Sequence, residues 1–153
     1  MVFTSSNLQE LSAFHRECLR HEKVDEINSG FSQTKLTIEE YLVFYGIANS
    51  VYGNEYVQAI KNYLVEHQLL DYYYEPICSL TCKQQLLVRL FITKYKSARI
   101  VLLNNMDGAL FDGDLYAVIR CMQSLTRQAG IQCYVTTKSS PMIRRYKGQL
   151  CQL

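Results

Sequence analysis

The sequence predicts an α/β fold: a helical N-terminal half followed by a small parallel sheet with crossover helices. Three observations carry that prediction. Two short apolar runs, Ile100–Leu103 and Ile131–Val135, have the length and composition of buried parallel strands. Between them lies a stretch of helical periodicity longer than the dozen residues that a parallel crossover needs. Ahead of them, apolar residues recur at helical spacing behind recognisable cap residues.

The elements follow in chain order. Over residues 7–21, Leu8, Leu11, Phe14, Cys18 and Leu19 predict a helix, with Ser5, Ser6 or Asn7 available as its cap. Residues 22–35 are polar, contain Asn28-Ser29-Gly30 and read as a loop. Thr37 with Glu40 is a capping box opening a helix that carries Tyr41, Leu42, Phe44, Tyr45 and Ile47. Asn49, Ser50, Gly53 and Asn54 break it, and Tyr56, Val57, Ile60, Tyr63 and Leu64 mark a second helix ending at His67. Pro76 closes the Tyr72-Tyr73-Tyr74 segment. Ser79 or Thr81 caps a helix running to about Tyr95 with Leu86, Leu87, Leu90 and Phe91. The first strand, Ile100–Leu103, ends in Asn104-Asn105-Met106-Asp107-Gly108. Asp112 or Asp114 opens the crossover helix with Leu115, Val118, Ile119, Met122 and Leu125, and Gly130 ends it. After the second strand, Ser139-Ser140-Pro141 opens a last short helix around Met142–Tyr146. The chain reads as one domain: an N-terminal helix and loop over 1–35, a helical subdomain over 36–96 and an α/β part over 97–153.

Composition excludes several classes. With 153 residues the chain suits a single core. A formal net charge of +2, spread over scattered basic residues, argues against a nucleic-acid binder, for which Lys94, Lys96, Arg99, Arg144, Arg145 and Lys147 are the candidates. Residues 1–12 lack the apolar stretch of a secretory signal, and no apolar run is long enough to span a bilayer. The expectation is a cytoplasmic protein, without direct membrane insertion, that reaches a membrane through a partner. The cysteines, Cys18, Cys78, Cys82, Cys121, Cys133 and Cys151, lack the paired spacing of a zinc site, and His15, His21 and His67 form no triad, so neither metal nor disulfide is expected.

The order of these elements resembles the helical subdomain and distal catalytic core of an ABC-transporter ATPase domain. Leu36-Thr37-Ile38-Glu39-Glu40-Tyr41-Leu42-Val43-Phe44 fits the "LT-x-E-E-x-L-x-F" that opens the helical subdomain in members of that family. Ser79-Leu80-Thr81-Cys82-Lys83-Gln84 stands where the family reads "SLSGGQ". Without a gap, the family's Walker B aspartate falls on Asn104, its "DEPTSALD" on Asn104–Phe111, and its switch histidine on Lys138. The match covers residues 36–147.

The departures bear directly on chemistry. No G-x-x-x-x-G-K-[ST] phosphate loop (the Walker A motif) occurs in the sequence, and Val2-Phe3 reads as a remnant of the strand before the family's glutamine loop, with Thr4 in the glutamine's place. Thr81 takes the signature serine's place, and Cys82 and Lys83 replace glycines that let backbone approach a phosphate. Asn104 replaces the magnesium-anchoring aspartate and Asn105 the glutamate that polarises water. A neutral amide serves neither purpose. Phe111 replaces the D-loop aspartate and Lys138 the histidine. The resemblance therefore implies a degenerate domain without ATP hydrolysis and without a cofactor.

Tyrosine is abundant, with 12 residues. Tyr41, Tyr45, Tyr52, Tyr56, Tyr63, Tyr72 and Tyr73 crowd the helical region, where they form either an interface or the packing of the subdomain itself. In the family, this subdomain is where the transmembrane partner docks. The leading expectation is a non-catalytic, ABC-ATPase-like accessory or regulatory subunit acting through protein–protein interaction, with a transporter subunit or a second copy of itself as partner. The alternative is a small-ligand-binding protein or an unrecognised enzyme using the strand-end loops at 104–107 and 136–139, with Asp107 and Lys138 as its main polar groups.

Overall fold

The computed structural model describes residues 2–4, 13, 16–17, 20, 23–27, 33–96, 98–104, 106, 109–137 and 139–146. The chain divides into two units. One combines Met1–Gly30 with Ser97–Leu153, and the other is Phe31–Lys96. In sequence the second is inserted into the first.

The first unit is α/β. Strands β1 (Val2–Thr4), β2 (Val24–Ile27), β3 (Ile100–Leu103) and β4 (Gln132–Thr137) form a sheet in the order β1-β4-β3-β2. All three pairings are parallel, with Val24 opposite Ile100, Ile100 opposite Gln132, and Val2 opposite Val135. Each residue of β3 is buried, as a central strand of aliphatic residues must be. Helix α4 (Asp112–Ala129) makes the crossover from β3 to β4. It buries Leu115, Val118, Ile119, Cys121, Met122 and Leu125 and ends at Gly130, which sits in the left-handed region at φ 66°. Helix α5 (Ser140–Tyr146) follows β4.

This corrects the reading of residues 22–35 as a loop, while Val2-Phe3, read as a strand remnant, lies in β1. Two of the four strands come from the first 35 residues. Strand β2 carries Asp25 and Glu26, residues with little intrinsic preference for a strand, and is held by pairing along its length with β3. Of the helix expected over 7–21, Ala13, Arg16 and Glu17 are helical and Arg20 is in a turn, its N–H donating to Glu17 O at 3.2 Å. The rest of it lies outside the described residues.

The second unit is helical, with α1 (Ile38–Ala48), α2 (Asn54–Glu66), α3 (Cys82–Thr93) and single 3-10 turns at Leu70–Tyr72 and Ile77–Ser79. The capping box expected at Thr37 forms, and Thr81, rather than Ser79, caps α3 and makes a second box with Gln84. Thr37 Oγ1 accepts from Glu40 N at 3.1 Å while Glu40 Oε2 accepts from Thr37 N at 2.9 Å. Gln84 Oε1 accepts from Thr81 N at 2.9 Å and Thr81 Oγ1 from Gln84 N at 3.3 Å. These satisfy amides that a helix start otherwise leaves unpaired. The 3-10 segment is stitched back to the start of α1 by Ile38 N to Glu75 O and Ile77 N to Leu36 O.

The packing of α1 on α2 depends on one close approach. The Tyr56 ring lies over Gly46, where a Cβ would come within 2.6 Å of Tyr56 Cε1. The Tyr56 hydroxyl donates to Leu42 O at 2.9 Å. Phe91 and Tyr95 pack on the same ring at centroid distances of 5.7 and 4.9 Å. Burial, with smaller contributions from Tyr95, Tyr45 and Tyr41, holds the Tyr56 hydroxyl protonated far above the ordinary tyrosine range. Among the described residues, no helix is long and apolar enough to cross a membrane.

Candidate functional site

Three places carry the sequence-based candidates: the carboxyl ends of the strands in the α/β unit, and the Ser79–Gln84 turn and the tyrosine-rich surface in the helical unit. At the strand ends, Asn104 follows β3 and its N–H donates to Ile27 O at 2.8 Å. Its side chain spans three strands. Nδ2 donates to Glu26 Oε1 of β2 at 3.3 Å, and Oδ1 accepts from Thr136 Oγ1 of β4 at 2.6 Å. The partners dictate the amide's orientation, because an ionised carboxylate can only accept, so the nitrogen must face Glu26. An aspartate at 104 would set a second carboxylate against Glu26 at this distance. At an effective dielectric of about 20, two like charges about 4 Å apart repel by about 4 kcal/mol. An amide at 104 suits this surrounding and a carboxylate does not.

A second link lies beside it. Thr137, buried, accepts the Ser139 N–H at 3.1 Å, and Ser139 Oγ donates to Asp112 Oδ1 in the first turn of α4 at 2.7 Å. Hydroxyl and amide groups at this edge thus bind one another. Among the described residues, no three His, Cys, Asp or Glu side chains come together in a way that could hold a metal ion. Phe111 is the residue before α4, offers no side-chain cap and is 86% exposed. Asn105, Asp107 and Lys138 lie outside the described residues.

In the Ser79–Gln84 turn the local hydrogen bonds are also internal. Ser79 Oγ donates to Pro76 O at 2.7 Å. The Thr81 hydroxyl belongs to the capping box of α3, donating to Gln84 Oε1 at 3.0 Å as well as accepting the Gln84 amide. Cys82 opens the helix, and both it and Lys83 are half-buried.

The seven tyrosines do not share one environment. Tyr56 is 3% exposed and belongs to the core, so the expectation of an interface role fails for it: aromatic packing and a carbonyl partner take up the whole side chain. Tyr63 is half-buried, donates to Leu87 O at 2.7 Å and packs on Phe91 and His67. Burial lowers the pKa of His67 below its ordinary value of 6.5, and Glu66 partly opposes this. Tyr41, Tyr45 and Tyr73 are half-buried. Tyr73 packs edge-on against Tyr74, and burial, then the neighbouring Glu39, raise its pKa. Tyr52 and Tyr72 are exposed.

Other apolar residues of the helical unit are exposed as well. Phe44 and Ile47 on α1 are 56% and 57% exposed, and Val65, Leu70 and Tyr74 are also exposed. The signal was present in the composition of α1. Ile38, Leu42 and Gly46 form its buried row, yet Tyr41, Val43, Phe44, Tyr45 and Ile47 make the remaining faces apolar too. A helix apolar all round has more surface to bury than one neighbour covers.

No protein-family model and no curated protein matches the chain. Solved structures do. A metal-chelate type ABC transporter in an inward-facing conformation superposes with a TM-score of 0.64 at 14% identity, covering 93% of this chain and 62% of that one. CbiO1 from Clostridium perfringens, described as part of the ABC transporter complex cbiONQ, gives 0.62 at 13% identity, over 82% of this chain and 51% of that one. An ATP-binding subunit of an ABC transporter gives 0.62 at 15% identity, over 81% and 52%. The chain therefore has an ABC-ATPase-like α/β fold, and it spans from 51% to 62% of the length of these structures.

Proposed function

We propose that this chain is a non-catalytic, ABC-ATPase-like protein that works as an accessory or regulatory subunit on the cytoplasmic side of a membrane transporter, through the exposed apolar surface of its helical unit. The observation that carries this reading is the side chain of Asn104. At the position aligned with the magnesium-anchoring aspartate stands an amide already bonded at both ends, to Glu26 and Thr136. Thr81, aligned with the signature serine, has its hydroxyl committed to a helix cap. Phe44, Ile47 and Tyr52 supply apolar contact area with no chemistry attached. CbiO1, which shares the fold, is described as part of a transporter complex, which favours a transporter subunit over self-association as the partner.

The alternative, a small-ligand site in the 104–107 and 136–139 loops, would have to break the Asn104–Thr136 and Ser139–Asp112 bonds before a ligand could use those groups. Calorimetric titration of the purified chain with magnesium ATP tests the first half of the proposal. The expected result is no saturable heat and no phosphate release. Saturable, magnesium-dependent binding would overturn it. Co-purification with membrane proteins tests the second half. A Phe44→Lys/Ile47→Lys double variant should lose an integral membrane partner that the parent retains, and equal recovery by both would exclude this surface.

A further inference from the structure

At the opposite end of the sheet, where the strands begin, lies an open cleft of about 940 Å³ lined by Arg20, Lys23, Arg99, Gln132 and, between them, Ala98, Ile100, Ala129, Gly130 and Ile131. Its position is set by the sheet itself. Lys23 O receives the amides of Arg99 and Ile100 at 2.9 and 3.1 Å, and Arg99 O receives the amide of Gln132 at 2.9 Å. The residues that enter β2, β3 and β4 are thereby held side by side. Arg20, Lys23 and Arg99 are all exposed. Ile100 and Ile131 are buried and give the cleft an apolar floor. Gly130, in the left-handed conformation with no atom within 4 Å of a notional Cβ, leaves the wall beside them open.

The charge balance favours one class of ligand. None of the described lining residues is acidic. Arg20 is offset by Glu17, 2.8 Å away. Among the described residues, Lys23 and Arg99 have no ion-pair partner, so the described residues supply the cleft with two uncompensated positive charges. The C-terminus of α4 points its partial negative charge at the same place, about half an electron's worth, and this is the smaller term. Two cations above an apolar floor fit a dianion with an apolar body, and a guanidinium fork is matched to phosphate oxygens. The volume lies in the range of small-molecule sites. We infer that this cleft binds a small phosphomonoester, its phosphate held by Lys23 and Arg99 and its organic group lying on Ile100, Gly130 and Ile131. This site is distinct from the strand-end loops and stands independently of the partner-binding proposal.

Phenyl phosphate is the probe, with benzoate and phenol as its monoanionic and neutral counterparts, followed by amide chemical shifts of the full chain at moderate salt. The expected result is saturable shifts at Arg99, Ile100, Gly130 and Gln132. Benzoate should bind more weakly and phenol not detectably. Lys23→Gln/Arg99→Gln should weaken phenyl phosphate about a hundredfold or more, the effect of losing two charge-assisted hydrogen bonds. Both side chains are exposed, so the variant should keep its fold, and an unchanged dispersion of the remaining amide signals would show that it has. No saturable shift, equal binding of benzoate or phenol, shifts scattered over all basic surface residues, or undiminished binding by the variant would each overturn the assignment.

Discussion

Helices α1 and α4, one in each unit, bury their surfaces in opposite ways. Helix α4 has a single apolar stripe, Leu115, Val118, Ile119, Met122 and Leu125, and all of it is buried, while Arg120, Thr126 and Arg127 stay in solvent. Its sequence leaves one way to pack. Helix α1 is apolar on nearly every side, and it packs through the row Ile38, Leu42 and Gly46 because Gly46 admits the Tyr56 ring. A local fit selects that face, and Phe44 and Ile47 are left out. Lying three apart, they are neighbours on the helix surface. Burying such side chains is worth roughly 1.5–3 kcal/mol each. Helix α4 has spent its driving force within its own unit, whereas α1 retains some for association.

The largest test of this contrast is Leu115→Ala in α4, expected to cost about 2–5 kcal/mol of unfolding free energy by denaturant titration, since it empties a buried site. Gly46→Ala should follow, at about 1–3 kcal/mol, because the added methyl must displace the Tyr56 ring. Loss of less than about 0.5 kcal/mol there would show that Tyr56 does not select the packed face. Asn104→Asp comes next. It should cost about 1–3 kcal/mol at neutral pH, by denaturant titration, by replacing a bonded amide with a carboxylate facing Glu26. Phe44→Lys and Ile47→Lys should each shift stability by no more than about 0.5 kcal/mol while abolishing partner binding. A large loss of stability would mean that α1's outer face is already in use.

The smallest effect is on pH dependence. The pKa of His67 is lowered in the folded chain, so the unfolded chain binds its proton more readily. The stability gained from the neutral ring is present above its ordinary value of 6.5 and is lost as pH falls from there through the lower folded value. The stability difference between the parent chain and His67→Gln should therefore shrink as pH falls below 6.5. A difference independent of pH would rule out the titration.

How legible each element was in the sequence follows from how far away its determinants lie. The capping box of α1 is closed by residues three apart, so Thr37 with Glu40 could be read directly, whereas at α3 the sequence left Ser79 and Thr81 both open as caps. Strands β3 and β4 announced themselves by composition. Strand β2 did not, because Asp25 and Glu26 have no local reason to be extended and their ladder partner comes from residues 100–103. The role of Asn104 was hidden for the same reason, since Glu26 is 78 residues away in sequence. That an aspartate was missing could be seen from the alignment of motifs, but not that an amide was needed. Tyr56 could not be told apart from the other six tyrosines, because the Leu42 carbonyl that takes its hydroxyl belongs to a different helix, 14 residues away.

The pairing of β1 with β4 has a consequence for the order of events during synthesis. Val2–Thr4 leaves the ribosome well before its ladder partner Gln132–Thr137 is made. At translation rates of about 5–20 residues per second, that edge waits on the order of ten seconds. The helical unit, whose ties run between segments closer in sequence, can close in that interval. The sheet would then be completed after the helical unit has folded, and a nascent chain stopped before residue 132 should show helix capping without a protected β1.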